Sequence, residues 1–82
     1  MIVPTIGRVV WYYPHGMADG VQPLDAHICY VHDDRRINIG GFDKNGDPYS
    51  ASSVVLVQEG DSMPTGAHAM WMPYQVQAAK KA

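Results

Sequence analysis

The sequence predicts an all-β protein, folded as a small barrel of about five strands. Short runs rich in β-branched and aromatic residues are separated at regular spacing by Gly, Pro, Asn and Asp, which is typical of strands joined by turns. A long run with helical periodicity is missing from the sequence. The 82 residues fit one domain, so we expect a single β-barrel domain over 1–82 with a short polar tail at 76–82. An SH3-like roll is the first choice and an OB-like barrel the second.

The first two strands are separated by a long loop. The segment 8–13 is β-branched and aromatic and is ended by Pro14, so it predicts a strand. A loop rich in Gly and Pro follows over 15–23, and the second strand is predicted over 25–32. Alternation in this strand leaves apolar groups on both faces, which indicates burial on two sides or at an interface. One face is predicted to carry Ala26, Ile28 and Tyr30.

The third and fourth strands are bounded by turn residues. A tight turn at 33–36 leads to a strand over 37–42, in which Gly40 and Gly41 predict a bulge or a sharp bend. Asn45 and Gly46 form the strongest hairpin signal of the chain, because both tolerate the positive φ of a type I′ turn. The fourth strand is predicted over 49–58.

The C-terminal part holds a dense apolar and aromatic run at 69–75. A fifth strand is predicted over 67–71, and 75–82 should be frayed or docked as one turn, since an isolated helix needs about 12 residues. The run is too short for a membrane span, which takes about 20 apolar residues. The barrel core, a second subunit or a flat ligand must therefore cover Trp71. The core is expected to include Val10, Ile28, Ile39, Val54 and Leu56.

Charge and cysteine content narrow the function. The net charge is −2 and the six basic residues are scattered, whereas a binder of polymeric nucleic acid concentrates cations on one face. One or two arginines beside an aromatic ring suffice for a small anionic ligand. The single Cys29 rules out an internal disulfide, and the first residues lack an export-signal pattern. We expect a cytoplasmic protein that binds neither polymeric nucleic acid nor membrane.

Metal ligands and catalytic motifs are weakly represented. The segment 43–47 matches the start of a calcium loop, but Pro48 replaces the required glycine and Val54 the bidentate glutamate. His27 and Cys29 share one strand face, yet a structural zinc site needs four converging ligands. No serine lies in a nucleophile elbow, and Cys29 lacks a cationic or helix-N-terminal setting that would activate it. We expect no enzymatic activity, no metal and no cofactor.

The first strand is apolar on both faces. Its alternation places Val10 and Tyr12 on one side, and Val9, Trp11 and Tyr13 on the other. A single small barrel has room for one of these faces, so Trp11 and Tyr13 are either exposed or buried by a second subunit. Because a contiguous apolar patch usually marks a contact, we expect a homo-oligomer.

Several segments together carry a family resemblance. They are Pro-Thr-Ile-Gly-Arg at 4–8, Arg36-x-Asn38 leading to Phe42, Asp43 and Gly46, and Trp-Met-Pro-Tyr-Gln at 71–75. The chain resembles, over nearly its whole length, short uncharacterised proteins of tailed phages and prophages. The C-terminal Trp-Met-Pro-Tyr-Gln motif is the most specific piece. The resemblance implies a viral accessory protein made inside a bacterial cell.

The phage setting points to one class of function. Small oligomeric phage proteins include sponges that sequester the nucleotide signals of bacterial immunity, such as cyclic oligonucleotides and ADP-ribose derivatives. A sponge needs aromatic faces for bases and guanidinium or amide donors for phosphates. Exposed arginines are more commonly solvated or paired with a carboxylate, and that alternative stays open. The candidate ligand-binding residues are Arg8, Tyr12, Arg35, Arg36, His68, Trp71, Tyr74 and Gln75.

The competing hypothesis is a non-enzymatic protein-binding module that inhibits a host protein or docks on a virion component. Length, charge and aromatic content fit both functions. A nucleotide sponge needs its arginines beside aromatic rings in a cleft, whereas a peptide-binding module can leave them on the rim.

Overall fold

The part of the chain that the structure describes forms a closed five-stranded β-barrel, as the sequence predicts, followed by one short helix. A computed structural model describes residues 1–18 and 20–81. The ends of the observed strands differ from the predicted ends by no more than one residue. The elements are β1 (Val9–Tyr13), β2 (Leu24–Asp33), β3 (Arg36–Phe42), β4 (Pro48–Val57), β5 (His68–Met70) and α1 (Pro73–Lys81).

The strands are neighbours in sequence order, and the barrel closes where β1 pairs with β5. Every neighbouring pair is antiparallel except β4 and β5, which run parallel. Parallel strands need a longer connection than a hairpin turn, and the loop over 58–67 provides it. Among the described strands this meander has no Greek-key crossover of the OB type, so the SH3-like choice fits better.

The barrel interior is filled by side chains that strand alternation points inwards. All five aliphatic residues predicted for the core are buried. Trp71 follows β5 directly and belongs to the same cluster, with 2% of its surface exposed. The barrel core therefore covers this ring, rather than a second subunit or a flat ligand.

The second face of β1 is partly covered within the chain. Tyr13 is buried, and its ring stacks on the cross-strand His68 with 5.4 Å between the ring centroids. Trp11 is half-buried. The expectation that both aromatic residues are either exposed or covered by a second subunit is therefore wrong for Tyr13. The reason is that β5 brings His68 over this face at the seam that closes the barrel.

A β-bulge in β2 changes the predicted alternation. The partners on β3 shift between Ile28 and Tyr30, so the two residues do not share a face. Tyr30 is exposed, and Val31 packs half-buried against the core in its place. The prediction that Tyr30 shares a face with Ala26 and Ile28 is wrong, because one extra residue in a strand reverses every side chain that follows it.

A further bulge lies in β4 rather than at the paired glycines. The register between β3 and β4 shifts opposite Asn38, where Ser53 adopts a φ of 53°. Gly40 pairs with His27 on β2 and with Ser50 on β4, and Gly41 pairs with Tyr49 on β4, without a register shift between them, so the bulge predicted there is wrong. Gly41 serves another purpose: a side chain at this position would strike the backbone carbonyl of Asp25.

The β3–β4 hairpin turns at Asn45 and Gly46, as predicted, but not through a type I′ turn. Gly46 has a φ of 83°, whereas Asn45 is not among the residues with positive φ. The Asp43 N–H donates to the Asp47 carbonyl at 2.9 Å, and the Gly46 N–H donates to the Asp43 carbonyl at 2.9 Å. This is a three-residue loop with glycine in the left-handed position.

The C-terminal segment is more regular than predicted. Nine residues form α1, where a frayed end or a single turn was expected. Pro73 is tolerated because the first helical N–H has no intrahelical acceptor. Gln75 Oε1 accepts from the Met72 N–H at 2.8 Å, and Gln75 Nε2 donates to the Val9 carbonyl at 2.9 Å. One amide thus caps α1 and ties it to β1. Ala82, the last residue of the predicted tail, lies outside the described residues.

Candidate functional site

Four of the eight predicted ligand-binding residues lie together beside α1. Arg8, Tyr74 and Gln75 line one groove, and the Arg8 guanidinium carbon Cζ lies 5.0 Å from the centroid of the Trp71 ring. We call this surface the Arg8–Tyr74 groove. Its remaining walls are apolar and consist of Ile2, Val9, Ala78 and Ala79.

Arg8 has a fixed backbone and an exposed side chain. Its carbonyl accepts from the Ile28 N–H at 2.9 Å, and its N–H donates to the Thr5 carbonyl at 3.3 Å. The guanidinium lies over the face of the Trp71 ring, which is a cation–π contact. Across residues 1–18 and 20–81, neither ion pair of the structure involves Arg8. Its N–H donors are therefore directed to solvent or to a ligand.

Tyr74 and Gln75 play different parts in the groove. Tyr74 follows Pro73 in the first turn of α1, and 66% of its surface is exposed, so its ring is open to stacking. Gln75 is buried, and both ends of its amide are bonded to backbone groups of the chain. Gln75 is therefore a positioning residue for α1 rather than a free hydrogen-bond donor.

Two of the predicted aromatic residues are part of the core. Tyr12 is buried and stacks on Tyr49, with ring centroids 5.9 Å apart and planes inclined by 12°. Trp71 is buried, and its Nε1–H donates to Gln58 Oε1 at 3.1 Å. The Tyr49 hydroxyl donates to the Asp25 carbonyl, and burial, together with the Asp25 carboxylate, raises the pKa of Tyr49 to about 12. Neither Tyr12 nor Trp71 has a ring face free for a ligand.

Arg35 forms an ion pair with a carboxylate. Such pairing was the alternative to ligand binding that the sequence left open for the arginines. Its Nε donates to Asp61 Oδ2 at 2.8 Å and its Nη2 donates to Oδ1 at 3.0 Å, so the pair is bidentate. This hydrogen bond, followed by the bond from the Gln58 N–H, holds the pKa of Asp61 below its usual value. The same pair raises the pKa of Arg35.

Acid should therefore weaken the barrel through Asp61. The pKa of Asp61 is lower in the folded state than in the unfolded state. The ionised Asp61 carboxylate therefore stabilises the folded protein above the unfolded-state pKa, and this stabilisation is lost as the pH falls through the folded-state pKa. The Asp61→Asn variant should melt below the native protein near neutral pH, and this difference should shrink on acidification. Thermal melts between pH 7 and pH 3, roughly the range in which carboxylates titrate, measure it. Asp47→Asn is the control. A difference in melting temperature between Asp61→Asn and the native protein that stays the same at every pH would contradict the prediction.

Arg36 and Asn38 hold the bulge in β4. Arg36 Nη1 donates to the Ser53 carbonyl at 3.0 Å, and Asn38 Oδ1 accepts from the Ser53 N–H at 2.8 Å. Asn38 Oδ1 also lies 2.9 Å from His32 Nε2. These contacts stabilise Ser53 in a left-handed conformation that serine rarely adopts. The Arg36-x-Asn38 segment therefore has a structural role, and Arg36 lies on a strand that does not adjoin β1.

His68 is fully buried and does not reach the Arg8–Tyr74 groove. Its Nδ1 lies 3.0 Å from the Gly66 carbonyl, which can only accept, so Nδ1 carries the proton. Within the described residues its Nε2 has no hydrogen-bond partner. Stacked on Tyr13 and enclosed on all sides, His68 is inaccessible to a ligand.

The described residues contain no group of three or more His, Cys, Asp or Glu side chains placed to hold a metal ion. Cys29 is exposed, and its thiol donates a weak hydrogen bond to the His27 carbonyl at 3.5 Å. In the same part of the chain, no helix is both long enough and apolar enough to cross a membrane.

A second groove runs along the other side of α1 and was missed from the sequence. Apolar side chains from three separate segments form it, so no local sequence pattern predicts it. Gln58, directly after β4, is buried and also lines this groove. It was missed as well, since a lone polar residue after a strand usually faces solvent. The apolar lining consists of Val57, Met63, Met70, Trp71, Pro73 and Val76.

No protein-family model, no curated protein and no solved structure matches this chain. The resemblance to tailed-phage proteins accordingly stays a prediction.

Proposed function

We propose that this protein binds a small phosphate-containing nucleotide in the Arg8–Tyr74 groove and holds it without chemical change. One observation carries the proposal. Of the three arginines, Arg8 is the one whose guanidinium has no acceptor within the described residues, and it lies in the same groove as the exposed ring of Tyr74.

The two side chains supply the two interactions that a nucleotide needs. A guanidinium fork matches the oxygens of a phosphate group and can bind two of them at once. An exposed aromatic ring stacks on a nucleobase, and each such stack is worth about 1–3 kcal/mol. Together they support roughly micromolar affinity when the groove is preformed. The backbone contacts of Arg8 and the cap of α1 hold both residues in place.

The biological role follows from the resemblance to phage proteins. A phage accessory protein with this groove would sequester a nucleotide immune signal, a cyclic oligonucleotide or an ADP-ribose derivative, in the cytoplasm of the bacterial host. Sequestration needs no catalysis, so the protein acts by stoichiometric binding.

Calorimetry with cyclic dinucleotides, cyclic trinucleotides and cyclic ADP-ribose isomers tests the proposal. At least one of these ligands should bind, and Arg8→Ala and Tyr74→Ala should each weaken binding about tenfold or more, corresponding to at least about 1.4 kcal/mol. Arg36→Ala is the control, since Arg36 is bonded to the Ser53 carbonyl and lies outside the groove. Flat titrations across the whole panel would contradict the proposal.

The second groove favours a second candidate function, a non-enzymatic protein-binding module. Met63 and Met70 are flexible, polarisable side chains of the kind that adapts to peptide surfaces, and Pro73 and Val76 extend the apolar lining. A host or virion protein bound there should be released by Met63→Glu and unaffected by Arg8→Ala. Capture experiments with these two variants separate the two functions.

A further inference from the structure

We propose, on the basis of the nucleotide-binding function above, that the ligand has two equivalent halves and that two copies of this chain bind it together. Each copy contributes Arg8 and Tyr74. The ligand class is a dinucleotide with two phosphates and two bases related by a two-fold axis, such as a cyclic dinucleotide.

The Arg8–Tyr74 groove has the composition of half a site. Among the residues that line it there is one cation, Arg8, and one exposed aromatic ring, Tyr74. Gln75, the other polar residue of the lining, is already bonded at both ends of its amide. One guanidinium and one ring match one phosphate and one base. A dinucleotide in a single groove would leave its second half without partners.

The walls of the groove are low. Ala78 and Ala79 present single methyl groups, and the exposed side chains of Arg8 and Tyr74 border open solvent. A ligand would keep one side in water, where a single charge–charge contact is weakened by the high dielectric constant. A second copy that faces the first across the ligand would exclude that water and strengthen both arginine contacts.

The surface around the groove suits such a contact. The N-terminal segment that supplies Ile2 and Arg8 also carries Met1, Val3 and Ile6, whose surfaces are 69%, 63% and 68% exposed. Large exposed apolar side chains that cluster on one segment usually mark a contact surface. In a two-fold dimer each copy contributes the same surface patch. The N-terminal segment beside the groove can therefore form both halves of the interface. A two-fold ligand matches this symmetry.

Binding stoichiometry and mass in solution test the inference. A cyclic dinucleotide should titrate at about one ligand per two chains, and light scattering should show dimers of the chain in its presence, as a two-fold site requires. A mononucleotide should bind about tenfold or more weakly, since it supplies half of the contacts. Ile6→Glu, or Val3→Glu as a second variant, should weaken dinucleotide binding while leaving mononucleotide binding unchanged. Val21→Glu, an exposed apolar residue in the β1–β2 loop, is the matched control.

The outcomes separate this inference from the function on which it rests. One dinucleotide per chain with no dimer would overturn the two-copy site and leave the proposed function standing. Unchanged dinucleotide affinity in both folded glutamate variants would overturn it as well. A protein that binds no nucleotide of either kind would overturn the proposed function and the inference together.

Discussion

Replacing Trp71 with alanine should lower the free energy of unfolding by about 3–5 kcal/mol, the range seen when a fully buried aromatic side chain is truncated. The ring is nearly inaccessible to solvent and lies in the main core cluster, so its removal leaves a cavity that the surrounding strands can fill only in part. The variant also leaves the Gln58 Oε1 acceptor without one of its two donors. Denaturant unfolding of the purified variant measures the loss.

The control for Trp71 is Trp11, the other tryptophan. Trp11 is half-buried on the outer face of β1 and is absent from the core cluster, so Trp11→Ala should cost clearly less than Trp71→Ala. Equal costs would contradict the assignment of Trp71 to the core. A Trp71→Ala protein that kept its stability but lost nucleotide binding would instead place the ring in the ligand site.

Strand positions could be predicted because they depend on local chemistry. The aromatic and β-branched run that became β1 and the turn residues at Asn45 and Gly46 carry their own signal. The bulges could not be predicted in the same way. Tyr30 turned outward because β2 has one more residue than β3 between Ile28 and Tyr30, and such an insertion depends on the pairing register rather than on composition.

The candidate site was predicted only in part, for a related reason. Sequence composition cannot distinguish an arginine whose guanidinium has no internal acceptor from one that is paired within the chain. Arg35 meets Asp61, 26 positions along the chain, whereas Arg8 meets no carboxylate in the described structure. Tyr12 and Tyr74 likewise look alike in the sequence, but one lies inside the barrel and the other on α1. What separates them is tertiary contact between distant segments.

Gln58 forms hydrogen bonds to three segments that are distant in the sequence. Its Oε1 accepts from the Ile2 N–H and from Trp71 Nε1–H, both at 3.1 Å. Its Nε2 donates to the Ile2 carbonyl at 2.9 Å and to the Asp34 carbonyl at 2.8 Å. The four bonds satisfy the whole amide and tie the N-terminal segment, the β2–β3 turn and the core tryptophan to the end of β4. The N-terminal segment in turn supplies Ile2 and Arg8 to the groove.

Gln58→Leu should therefore destabilise the protein by about 2–4 kcal/mol, although leucine has nearly the same size. The substitution removes four hydrogen bonds and leaves the Trp71 Nε1–H buried without an acceptor, whereas the freed groups of Ile2 and Asp34 lie nearer to water. Gln77→Leu on the exposed side of α1 is the matched control and should change stability little. Because Ile2 would be released, nucleotide binding should weaken in the folded variant as well. Unfolding curves that coincide for the two leucine variants would show that the Gln58 network does not stabilise the barrel.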